Sequence, residues 1–135
     1  MGRFPFLPLT VMLPVIRCSV ALIFFLHAIV RVFNGTIPQF ADYLTNKGLP
    51  FGKALVIAIT VLEISGSILL VMNFLVRQIA AALFIMLLIG IILIHAEKGW
   101  FTGEHGAGGI EYSFILMIAL MVVASADNKQ HDILS

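Results

Sequence analysis

Residues 54–76 read ALVIAITVLEISGSILLVMNFLV, and Glu63 is the only charged residue among them. As a helix rising ~1.5 Å per residue, the stretch is long enough to cross the hydrocarbon layer of a bilayer. Its carboxylate would then lie close to the membrane midplane. Ionisable groups are costly there, seldom face lipid, and usually find a partner inside a bundle. A second apolar stretch carries Arg17, His27 and Arg31. The chain therefore reads as a hydrophobic helical protein with a buried polar cluster.

Composition supports the lipid setting. Hydrophobic residues make up 61% of the 135 and charged residues 11%, with a mean hydropathy of +1.10. A water-soluble domain of this size could not hide so much apolar surface in its own core. The formal charge of +1, with no basic run, leaves no electrostatic footprint for nucleic acid. Cys18 is the single cysteine, so a disulfide within the chain is excluded. It reads as a small apolar helix residue, with a disulfide to a partner as the alternative. The first apolar run keeps Arg17 inside it and lacks a small-x-small cleavage site, which speaks for a retained span.

Four apolar runs are long enough to span, at about 13–33, 52–73, 77–94 and 110–126. None shows the in-out alternation of a barrel strand. The expected fold is an all-α integral membrane four-helix bundle, a single domain with antiparallel spans. Residues 72–77 leave room only for a tight hairpin between the second and third helices. The connections 34–51 and 97–109 are rich in glycine and proline and read as loops on one face, both termini lying on the other. Lysine and arginine are nearly balanced between the two faces, so charge bias does not orient the bundle.

Counting the rise along each span places Glu63 near the centre and His27 roughly 6 Å towards the loop face. Arg31 falls about 12 Å that way, near the interface, and Arg17 about 9 Å the other way. His27 and Arg31, four apart, share a helix face. Thr60, Glu63 and Ser67 form one polar stripe, with Gly66 beside it allowing close approach by a neighbour. His95, Trp100, Glu104, His105, Glu111 and Tyr112 gather towards the loop face. Together these residues would line a pocket open to the outer loops and floored by Glu63.

Plainer roles compete with that reading. Glu63 would serve packing alone if paired with Arg17 or His27, and Arg31 could simply reach for the interface. Glu111 suits the first turn of a helix, and Trp100 and Tyr112 suit an aromatic belt. No His or Glu pair has a recognised ligand spacing, so no metal site is expected. Nucleotide fingerprints and a nucleophile elbow are absent from the sequence.

Three segments carry a family likeness: FADYLTNKGLPFGKAL at 40–55, VLEISGSILLV at 61–71, and HAEKGWFTGEHGAGGIEYSFILM at 95–117. With Arg17 and His27-x-x-x-Arg31, they make the chain resemble the DoxX family of small four-helix membrane proteins over residues 17–126. The resemblance implies a bacterial inner (cytoplasmic) membrane location, with cytoplasmic termini and periplasmic loops. It also implies an oxidoreductase subunit, since related DoxD and DoxA chains form thiosulfate:quinone oxidoreductase. Other relatives associate with superoxide-detoxifying or thiol-redox partners. Those linked to disulfide chemistry need paired cysteines, and Cys18 alone departs from them.

The favoured function is a membrane subunit of a redox assembly that binds a quinone or similar small electron carrier. Glu63, His27 and Glu111 are the candidate catalytic proton carriers; Arg31, His95, Trp100, His105 and Arg17 are the candidates for holding the carrier. Quinone is the favoured cofactor, with haem or flavin as open alternatives. A soluble redox subunit and a second copy of the chain are the expected partners besides lipid. Two other functions compete: a non-enzymatic scaffold or receptor, and a small proton-coupled transporter.

Overall fold

The computed structural model describes residues 3–101 and 109–134. Helix α1 (Leu9–Phe33) leads through the short helix α2 (Ile37–Asn46) into α3 (Gly52–Val71). A tight turn then gives α4 (Val76–Gly90), which continues as a π turn (Ile91–His95) and a 3-10 turn (Ala96–Lys98); α5 (Ile110–Leu134) closes the chain. The described residues contain no strand. Among the described residues, four segments are long and apolar enough to cross a membrane: Leu9–Phe33, Gly52–Val71, Val76–Lys98 and Ile110–Asp127. The protein is an all-α, multi-pass membrane protein.

Three features depart from the sequence reading. The connection 34–51 is largely helical, because Pro38 sits in the opening turn of α2, where a missing N–H costs nothing. Ile37, Phe40, Ala41 and Leu44 then give α2 an apolar stripe at helical spacing, with Ala41 and Leu44 buried. The third span changes helix type at Ile91 rather than ending as a plain α-helix. The fourth continues as helix through the polar residues to Leu134.

Helix α3 runs through the middle of the packing. Val56, Thr60, Glu63, Ser67 and Leu70 are all buried, and their alternating steps of four and three make one continuous face. That face divides the core. On one side of its polar section, Leu70 joins Phe24 of α1, Leu83 of α4 and Leu120 of α5. On the other, Val56 packs with Ala41 and Leu44 of α2. Outside, Val61, Ile68, Ile85, Ile92 and Ile115 are exposed, an apolar surface suited to lipid.

Two glycines permit close packing. A methyl group at Gly66 would stand 3.1 Å from Ile79 Cγ2, so α3 and α4 touch closely near their turn. A methyl group at Gly52 would overlap the Ala41 carbonyl oxygen and the Thr45 hydroxyl, where α2 crosses the start of α3. By contrast, the space about Gly90 is open. Gly52→Ala is therefore expected to destabilise the fold by about 1–3 kcal/mol, while Gly90→Ala is neutral or stabilising. Thermal unfolding in detergent, followed by circular dichroism, checks the pair.

Candidate functional site

Arg31 lies near the end of α1 and Glu63 near the middle of α3, yet Arg31 Nη1 donates to Glu63 Oε2 at 2.6 Å. The same nitrogen donates to Thr60 Oγ1 at 3.0 Å. Helical side chains lean towards the start of their own helix. Arg31 therefore reaches back into the bundle, and Glu63 leans towards the end of α3 that follows the α2 connection. The pair is well buried, with side-chain exposures of 15% for Arg31 and 4% for Glu63. Above it, the Phe40 ring of α2 lies 5.4 Å from the guanidinium carbon, within reach of a cation–π contact.

The neighbouring polar groups are satisfied along α3. Thr60 Oγ1 donates to Val56 O at 2.8 Å while accepting from Arg31. Ser67 Oγ donates to the Glu63 carbonyl. Across the bundle, the His27 ring stacks on Tyr112 of α5, with centroids 5.8 Å apart and planes 24° from parallel. Tyr112 Oη stands 3.5 Å from His27 Nε2, at the outer limit of a hydrogen bond.

Arg31, Glu63, His27 and Tyr112 border a cavity of about 580 Å³. Its polar wall holds His27, Arg31, Glu63, His95, Tyr112 and Ser113. The rest is apolar: Phe40, Leu44 and Leu49 above, Leu55, Ala58 and Leu62 from α3, Ile85, Met86 and Ile89 from α4. Such a volume, mostly apolar with a few convergent polar groups, is that of a small-molecule site. A shallower hollow of about 540 Å³ on the α1–α2 side shares His27 and Arg31 and adds Thr36 and Gln39.

Of the residues singled out from sequence, Glu63, His27, Arg31, His95 and Tyr112 come together on this cavity. Glu63 takes Arg31 as its partner, in place of Arg17 or His27, and Arg31 turns inward rather than out to the interface. Arg17 is far from the site. Its Nη1 donates to Asn73 Oδ1 at 2.8 Å, beside the α3–α4 turn at the opposite end of the bundle. Trp100 is half exposed and packs on Phe114, with ring centroids 5.5 Å apart. Glu111 is half-buried in the first turn of α5, where its backbone N–H donates to Trp100 O, and it is not among the cavity-lining residues. His105 and Glu104 lie outside the described residues. Sequence reasoning missed Ser113, which is buried on the cavity wall, and the roof formed by α2. The roof's signal was present in the spacing of Ile37, Phe40 and Leu44.

Beyond α2, Lys47 Nζ bonds Glu97 Oε1 at 2.5 Å and ties the roof to the 3-10 turn. That hydrogen bond holds the Lys47 ammonium above its ordinary value of 10.5. The tie is fully present below that value and is lost as pH rises through the higher folded one.

The DoxX family model matches residues 12–96. This chain belongs to the DoxX family. The match runs from α1 through the π turn to the first residue of the 3-10 turn and takes in Arg31, Thr60, Glu63 and His95, while α5 falls beyond it. It is shorter than the likeness expected over residues 17–126. No curated protein and no solved structure matches the chain.

Truncating one member of a buried ion pair strands the other in a medium that solvates it poorly. Arg31→Met is expected to cost about 3–5 kcal/mol, and Arg31→Met with Glu63→Leu to recover most of it. Thermal unfolding of the single and double variants measures the coupling; strictly additive losses would contradict the pairing.

Proposed function

We propose that this DoxX-family protein is the membrane subunit of a redox assembly and binds a quinone, or a similar small electron carrier, in the cavity at Arg31 and Glu63. The observation that carries the reading is the composition of that wall. A mostly apolar chamber within the spans has a guanidinium, a carboxyl, two imidazoles and a phenol in its lining. Reduction of a quinone takes two electrons and two protons, so its site needs donors for the carbonyl oxygens and a route for protons.

Arg31 and Tyr112 are the donors of choice for carbonyl oxygens. Arg31 is fixed by Glu63 and Thr60 and carries further N–H groups than those two bonds use. His27 and Glu63 are the groups able to exchange a proton, and the hollow on the α1–α2 side gives His27 a path outward. His95, in the same lining, is a further candidate to hold the carrier. Electrons would come from a soluble partner subunit or a bound cofactor. By family analogy, the bundle would lie in a bacterial inner membrane with cytoplasmic termini.

The scaffold reading draws on the same ion pair, which fixes α1 against α3 whether or not a ligand is present. Purification in mild detergent, a visible spectrum and mass identification of co-purifying small molecules separate the two. A quinone is expected in the wild type, and Glu63→Gln and His27→Ala should lose it several-fold while helicity is kept. Folded variants that retain ligand and activity would overturn the site.

A further inference from the structure

The two arms of the α3–α4 hairpin are close at one end and open at the other. Near the turn, Ile79 packs against Gly66. Taken over their whole lengths, α3 packs chiefly on α1 and α2, whereas α4 packs chiefly on α5. Leu55, Ala58 and Leu62 of α3 and Ile85, Met86 and Ile89 of α4 border the same cavity. In each arm these positions follow helical spacing, so each arm offers one face to the gap. Leu55, Ala58, Ile85 and Ile89 are also exposed. An opening of the cavity between these residues would reach the lipid-facing side through walls that are wholly apolar.

The other ends of the chamber differ. Phe40, Leu44 and Leu49 roof it, and the Lys47–Glu97 bond ties that roof to the 3-10 turn. The polar groups of the lining come from α1, α3 and α5, with His95 added by the π turn. Among them the Arg31 cation and Glu63 anion neutralise each other, so a head group with its own charge would be left uncompensated.

Resting on the reading of the cavity as a carrier site, we propose that the gap between α3 and α4 is a lateral portal for a membrane-dissolved amphiphile. Its uncharged, carbonyl-bearing head group sits against Arg31, His27 and Tyr112, and its apolar tail passes out between Ala58 and Ile85 into the acyl chains. The tail is then a specificity element, and the ligand arrives from the bilayer rather than from water.

Two probes test this: dimethoxy-methyl-benzoquinone without a tail, and the same ring carrying a decyl tail. Binding is measured to the full chain in phosphatidylcholine nanodiscs, with affinities expressed per mole fraction in the bilayer. The wild type is expected to prefer the tailed probe at least tenfold. Ala58→Trp should cut tailed-probe affinity at least tenfold more than it cuts that of the bare ring, which loses only the space the indole fills. Ile57→Trp, on the same helix but away from the cavity, should leave both unchanged. Ile85→Trp narrows the opposite lip and replaces Ala58→Trp if that variant loses helicity. Equal affinity of the wild type for both probes, or equal losses for both in the lip variants, would overturn the portal while leaving the carrier site standing. Failure of the wild type to bind either probe would overturn both.

Discussion

The Arg31–Glu63 ion pair is the constraint around which the bundle is arranged. Helices in lipid gain little from hiding apolar surface, since the surroundings are as apolar as they are, and association rests on close packing and polar contacts. Glu63 cannot be left facing acyl chains, so α3 must present its Val56–Thr60–Glu63–Ser67–Leu70 face inward and α1 must bring Arg31 against it. That requirement sets the rotation of α3 and its register against α1 together. The pair is better viewed as specifying the arrangement than as a net source of stability, because two apolar residues of suitable shape would avoid the desolvation cost.

The cavity follows from how that commitment is met. With α3 held chiefly to α1 and α2, and α4 chiefly to α5, the hairpin is close near its turn, where Gly66 admits Ile79. The core cluster below, around Phe24, Leu70, Leu83 and Leu120, fills the bundle there. Above it the smaller cluster of Ala41, Leu44 and Val56 roofs a space that the spans leave between them. The polar face of α3 lies at the boundary between the two clusters, so Glu63 is at once a packing element and part of a chamber wall.

Much of this was legible in the chain. Run length and the scarcity of charge revealed the four spans, and the Thr60–Glu63–Ser67 stripe marked the buried face of α3. The partner of Glu63 was not, because counting rise along a helix locates Cα atoms, whereas a long side chain such as Arg31 ends well away from its own. Helix α2 was obscured by Pro38, Gly48 and Pro50, which signal a loop unless the proline is recognised as a helix starter. Trp100 and Arg17 matched the required chemistry by residue type, yet Trp100 packs on Phe114 and Arg17 bonds Asn73. Distance along the membrane normal says nothing about which side of a helix a residue occupies.

The π turn at Ile91–His95 has a bearing on how this chain is compared with its relatives. A π turn accommodates a surplus residue without breaking the helix, and it shifts the angular phase of everything downstream. Positions before Gly90 and after His95 therefore do not share one helical wheel. A relative with one residue fewer in that interval would align smoothly by eye, yet its histidine would be rotated off the chamber wall. Homology across this joint is a matter of phase as well as of letters.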